Sequence, residues 1–156
     1  MTISPPAVLL GVQRPRVLSI PPAVVSTSGA EAAELAATAG LVLDDWQRFC
    51  LDVILGERAD GKWAAFEAAV VVPRQNGKGS ILEALELAGL FLFGEKLILH
   101  SAHEFKTAAE GFLRVRSLIE NTDDLRRKVG KVRTAHGDEA IELTRQAGGG
   151  RLRFVA

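Results

Sequence analysis

Residues Val70 to Ser80, VVVPRQNGKGS, hold the side chains whose types and spacing point to chemistry. Three β-branched residues end at Pro73. A polar loop, Arg74-Gln75-Asn76-Gly77, follows, then Lys78 and an apolar-periodic segment from Ile81 to Phe93. Strand, turn, Gly-Lys, helix is the order of a phosphate-cradling loop, in which backbone N–H groups at a helix N-terminus face the anion and a lysine neutralises it. The pattern G-x-x-x-x-G-K-[ST] is met in part. Val72 stands at the first glycine and Gly79 at the Ser/Thr, and Ser80 carries the nearest hydroxyl, one position late. The plain alternative is an ordinary strand-to-helix turn with Gly77 supplying a positive φ. Against that alternative, Arg74 and Lys78 both lie where the helix macrodipole disfavours cations, a conflict that an anion between them resolves.

The elements around this loop read as an α/β chain. With 156 residues there is length for one domain with a real core. The 47% hydrophobic and 24% charged content describes a globular protein. No apolar run approaches the ~18 residues needed to cross a bilayer, so no membrane role is expected. Nineteen basic and 19 acidic side chains exclude a global polyanion-binding signature. The charge is unevenly spread: Arg114, Arg116, Arg126, Arg127, Lys128, Lys131 and Arg133 make the second part locally basic, which fits a nucleic-acid surface or a solvated helix face equally well. Cys50, the only cysteine, falls on an apolar helix face and is expected to be a core thiol in a reducing compartment.

Residues 1–27 carry five of the six prolines and read as an extended, mobile arm; residues 28–156 form the domain. Ser28 and Glu31 fit a capping box for a short alanine-rich helix closed by Gly40. Asp44 or Asp45 caps a second helix whose Trp46, Phe49, Cys50, Val53 and Ile54 share one face. Asp60-Gly61 marks a hairpin leading into a Val70–Val72 strand. Leu97-Ile98-Leu99 suits a buried parallel strand, and a helix runs from about His103 to Glu120. Three short strands close the chain. Strand–helix–strand–helix order predicts an α/β layout with a parallel core.

Taken in order, LDDWQRFCLDVILG, VVVPRQNGKGSILEALELAGLFLFG and LILHSAHEFKTAAEGFLRV resemble the ATPase part of phage terminase large subunits, the motors that thread viral DNA into a capsid. The resemblance covers Leu41 to Ala156. It implies a P-loop NTPase fold of the ASCE, helicase-like type: a three-layer sandwich with a mainly parallel sheet, here incomplete at the C-terminus. It implies ATP and Mg²⁺ as ligands. Gln47 would read the adenine edge, Lys78 would neutralise the β- and γ-phosphates, and Gln75, Asn76, Gly77, Lys78 and Gly79 would donate backbone N–H groups. Arg74 would stabilise charge at the γ-phosphate. Gly79 departs from the family's Ser/Thr, which leaves Ser80, or water, as the Mg²⁺ ligand. Ser101 to Ala108 matches a segment that touches DNA or relays nucleotide state in related helicases. The implied partners are double-stranded viral DNA, the portal protein and the small terminase subunit, with a homo-oligomeric ring at the procapsid portal in the host cytoplasm.

Hydrolysis also needs a carboxylate on Mg²⁺ and one to orient water. The family carries an Asp-Glu pair after an apolar strand downstream of the loop. Asp44-Asp45, Asp123-Asp124 and Asp138-Glu139 do not meet that description, and His100, His103 and His136 show no metal-ligand spacing. The expectation is therefore a fragment lacking the acidic strand and the nuclease domain, binding ATP weakly and hydrolysing little alone. The rival readings are another P-loop NTPase of helicase-like type, and a non-catalytic module that keeps the fold for binding or assembly.

Overall fold

The computed structural model describes residues 11–135 and 137–156. Pro5, Pro6 and His136 lie outside the described residues. The chain is α/β. After a two-residue strand β1 (Ser26–Thr27) come α1 (Gly29–Thr38), α2 (Asp45–Ile54), β2 (Gly56–Glu57), α3 (Lys78–Phe91), β3 (Leu97–Ser101), α4 (Phe105–Glu120), α5 (Asp123–Arg126), β4 (Val129–Arg133), β5 (Ala140–Leu143) and β6 (Arg151–Val155). No helix among the described residues is long and apolar enough to cross a membrane.

The sheet is mixed. Its order is β3-β6-β5-β4, with β3 parallel to β6 and the other two pairings antiparallel. This corrects the expectation of a mainly parallel sheet: the tight connections after β4 and β5 allow only antiparallel neighbours, since a parallel return needs a long crossover. One sheet face, carrying Ile98, His100, Ile141, Leu152 and Phe154, packs under α3 and α4. The other face, with Leu97, Leu99, Arg133, Glu142 and Arg153, is covered by no helix among the described residues; Leu99 is 59% exposed there, and Arg133 bridges Glu142 and Asp138. The layers are thus sheet, then α3 and α4, then α1 and α2, rather than helices on both faces of a sheet. Leu97-Ile98-Leu99 is an edge strand with one wet side, not a fully buried one.

Helix α3 is the centre of the packing. Leu87 and Leu90 join a core with Phe112, Val115, Leu152 and Phe154, while Ile81, Ala84 and Ala88 join a second core with Ala32, Ala36 and Leu51 of α1 and α2. A helix apolar on nearly all sides is what a buried central helix requires. Each fully buried Leu contributes roughly 1.5–3 kcal/mol over its exposed state.

Three local expectations change. The Ser28 hydroxyl donates to Glu57 instead of closing a capping box on α1. The described part of the Pro-rich arm lies along α2: the Trp46 N–H donates to Gln13 Oε1 at 3.2 Å, and the Arg14 guanidinium sits 4.3 Å from the centre of the Phe49 ring. The hairpin at Asp60-Gly61 forms, with Gly61 at φ 74°, but Val70–Val72 is not a strand. Among the described residues no backbone–backbone hydrogen bond reaches Ala65 to Val72, and Val71 is 95% exposed. β-branched residues extend the chain there, yet a strand exists only with a neighbour to pair with.

Candidate phosphate-binding loop

The loop from Pro73 to Gly77 is shaped by two left-handed residues. Gln75 has φ 63° and Gly77 φ 72°, the latter as the residue just before α3. Alternating a left-handed residue with ordinary ones turns successive N–H groups toward one side, the concavity that binds anions. Gln75 is the only non-glycine residue at positive φ among the described residues, an arrangement of the kind that clusters at ligand sites. Asn76 steadies the turn weakly, its Nδ2 donating to the Pro73 carbonyl at 3.4 Å. Residues Arg74 to Lys78 are exposed.

Gln47 fixes this loop to α2. Its Nε2 donates to the Gly77 carbonyl at 2.8 Å, and its Oε1 accepts the Asp44 N–H at 2.8 Å. The side chain is buried, and a Cβ at position 77 would lie 2.9 Å from its Nε2. The motif thus comes together with Gln47 through the tertiary fold. In this arrangement the amide holds backbone at both ends; only its second N–H and second lone pair remain for a base.

Among the described residues no ion pair or hydrogen bond engages the charged ends of Lys78 or Arg74. Two cations therefore stand at the positive end of a 14-residue helix. The loop borders a groove of about 1920 Å³ that runs between the arm, α2 and Ala64–Gly77. At roughly 300–1,000 Å³ for a typical small-molecule pocket, this groove is too wide and open to define a ligand by shape.

One turn into α3 the surroundings become charged and buried. Glu83 accepts from Arg114 Nε at 2.5 Å, and Glu86 shares a 2.5 Å hydrogen bond with His100 Nδ1. The second Glu86 oxygen is buried without a partner. Burial pushes the Glu86 carboxyl above its ordinary range, and the bond to Glu86 pushes the His100 imidazole up. His100 also packs on Phe154, ring centres 5.0 Å apart. Glu83 and Glu86 lie far from His100 and Arg114 in the sequence, and the group forms no motif. His100 alternates with Ile98 on the covered face of β3, and Glu83 and Glu86 sit among apolar residues on α3, so the legible signal was charge inside an apolar pattern.

The remaining candidates lie apart from the loop. His103 is exposed and faces Glu104 at 3.8 Å. Asp123 and Asp124 pair with Arg126 and Arg127, Asp138 pairs with Arg133 and Arg153, and Glu139 is buried, accepting the Gly137 N–H. Among the described residues no group of three His, Cys, Asp or Glu side chains is placed to hold a metal ion. Ser80 is half-buried on the first turn of α3, and its N–H donates to the Gly77 carbonyl.

No protein-family model, no curated protein and no solved structure matches the chain.

Proposed function

We propose that the segment Arg74 to Ser80 binds the phosphate tail of ATP, and that the chain is the ATP-binding portion of a phage terminase large subunit, a P-loop ATPase that couples hydrolysis to DNA packaging. One observation carries the phosphate reading: two uncompensated cations, Arg74 and Lys78, meet a nest of left-handed backbone at the N-terminus of α3. Any anion there gains the helix dipole, the backbone donors and both side chains. The terminase reading adds the order of the three segments around Gln47, Lys78 and His103. In it, Lys78 lies along the β- and γ-phosphates, Arg74 meets the γ-phosphate, and the backbone of Gln75 to Gly79 donates. Viral double-stranded DNA, the portal, the small subunit and a ring assembly belong to this same reading.

The residues fit phosphates better than they fit Mg²⁺. Gly79 offers no hydroxyl beside Lys78, and no carboxylate cluster faces the loop among the described residues. A second reading therefore stands beside the motor: a binding or assembly module that keeps the phosphate loop without turnover.

Thermal unfolding with and without ATP tests the site. Binding at a hundred times Kd raises stability by about 2.7 kcal/mol. That rise is expected in the native chain and absent in Lys78→Ala. An ATP-induced rise of equal size in Lys78→Ala would overturn the reading.

A further inference from the structure

The residue after Lys78 has no side chain, and the space is not empty. A Cβ built on Gly79 would lie 3.3 Å from Arg114 Nη2 and 3.6 Å from Glu83 Oε1. Arg114 projects from α4 across to the first turn of α3. Its Nε is held by Glu83, whose side chain is 92% buried by the complement of its 8% exposure, while the guanidinium itself is 54% exposed. Among the described residues its only hydrogen bond is the one through Nε. A guanidinium fixed at one edge and open at the other presents two N–H₂ groups in a planar fork, the geometry that suits phosphate oxygens. Arg114 thus brings a third cation to the first turn that carries Lys78.

We propose that Arg114 is a phosphate-positioning residue, held over Gly79 by Glu83, and that it supplies the charge that a hydroxyl-bound Mg²⁺ would otherwise bring to the triphosphate. The inference rests on the phosphate-loop reading above. A serine at 79 would crowd this position, and the guanidinium would have to shift by a few tenths of an ångström. The ligand class is a triphosphate bound without obligatory metal.

Calorimetric titration of the native chain with ATP, ADP, AMP and inorganic triphosphate, in EDTA and in millimolar Mg²⁺, tests this together with Lys78→Ala, Arg114→Gln and Gly79→Ser. Glutamine retains a donor for Glu83, so the buried carboxylate keeps a partner. The native chain is expected to bind ATP and triphosphate in EDTA within a few-fold of its affinity in Mg²⁺. Arg114→Gln is expected to lose about tenfold for ATP and triphosphate in EDTA, one charge-assisted contact's worth, and to leave AMP unmoved. A role confined to folding would lower all four ligands alike. Gly79→Ser is expected to weaken binding in EDTA and regain it with Mg²⁺. Binding by the native chain that vanishes in EDTA would overturn the proposal, as would an Arg114→Gln chain that binds triphosphate like the native one while Lys78→Ala does not. No binding by the native chain in either buffer, or equal binding by Lys78→Ala, would overturn the phosphate-loop reading itself.

Discussion

The amide of Gln47 and the carbonyl of Gly77 are joined by a 2.8 Å hydrogen bond across 30 positions of sequence. It ties the second helix to the last residue of the loop before α3 begins. The same amide accepts the Asp44 N–H, so one buried side chain closes the start of α2 and sets the height of the loop above it. Removing it leaves the Asp44 N–H to find a new partner and the Gly77 carbonyl with the Ser80 N–H alone.

Gln47→Ala is accordingly expected to lower stability by about 2–3 kcal/mol, the sum of a lost cap and a lost buried hydrogen bond. Urea unfolding measures this. An unchanged midpoint would show that the loop is held by other means.

Gly77→Ala places a Cβ 2.9 Å from Gln47 Nε2 at φ 72°. Strain at positive φ and the steric contact both oppose it, and a cost of about 1–3 kcal/mol is expected. The variant should also lose ATP-dependent thermal stabilisation, because the peptide next to Lys78 must tilt to relieve the contact.

The Glu86–His100 pair predicts a pH dependence whose sign follows from both shifts. Glu86 titrates above its ordinary 4.5 and His100 above its ordinary 6.5 in the folded chain. The folded state therefore holds more protons than the unfolded one across this range. Stability from the pair is fully present at acid pH and is lost as pH rises through the folded values, at no more than about 1.4 kcal/mol per pH unit for each proton. Glu83 and Arg114 face the pair and act in opposite directions on each member. Melting curves from pH 5 to 8 should fall with pH in the native chain and fall less steeply in His100→Gln, which has one titrating group fewer.

Leu87→Ala opens a cavity in α3 where it meets α4 and the sheet, at a side chain with no exposed surface. The expected loss is about 2–5 kcal/mol in chemical denaturation. Leu82→Ala, on the same helix but 48% exposed, should change stability far less.

An ATPase assay is expected to show little turnover. Two carboxylates of α3 are tied up, Glu83 by Arg114 and one oxygen of Glu86 by His100, and among the described residues no carboxylate cluster is placed to hold the metal that hydrolysis needs. Rapid steady-state hydrolysis by the purified chain, abolished by Lys78→Ala, would refute this.

What the sequence showed depended on the range of the interaction. Helices α2, α3 and α4 were legible because their apolar spacing repeats within a few residues. The loop at Arg74 to Ser80 was legible as a motif, since its residues are contiguous. The sheet is less legible where the answer lies in pairing: Val70–Val72 has strand composition but pairs with no strand among the described residues, and Leu97 to Leu99 is apolar on an edge. Gln47, expected from the resemblance to read a base, also clamps Gly77, a contact that its local sequence does not announce. Arg114, Glu83, Glu86 and His100 come from three elements, and nothing in their local sequence announces that they meet.

Three consecutive valines that no backbone–backbone hydrogen bond reaches among the described residues have a practical consequence for anyone concentrating this protein. Such a run, uncharged and followed by a lone proline, is a template on which another chain can zip. Turbidity at high concentration should begin at Val71, and a single lysine in its place, Val71→Lys, should keep the solution clear.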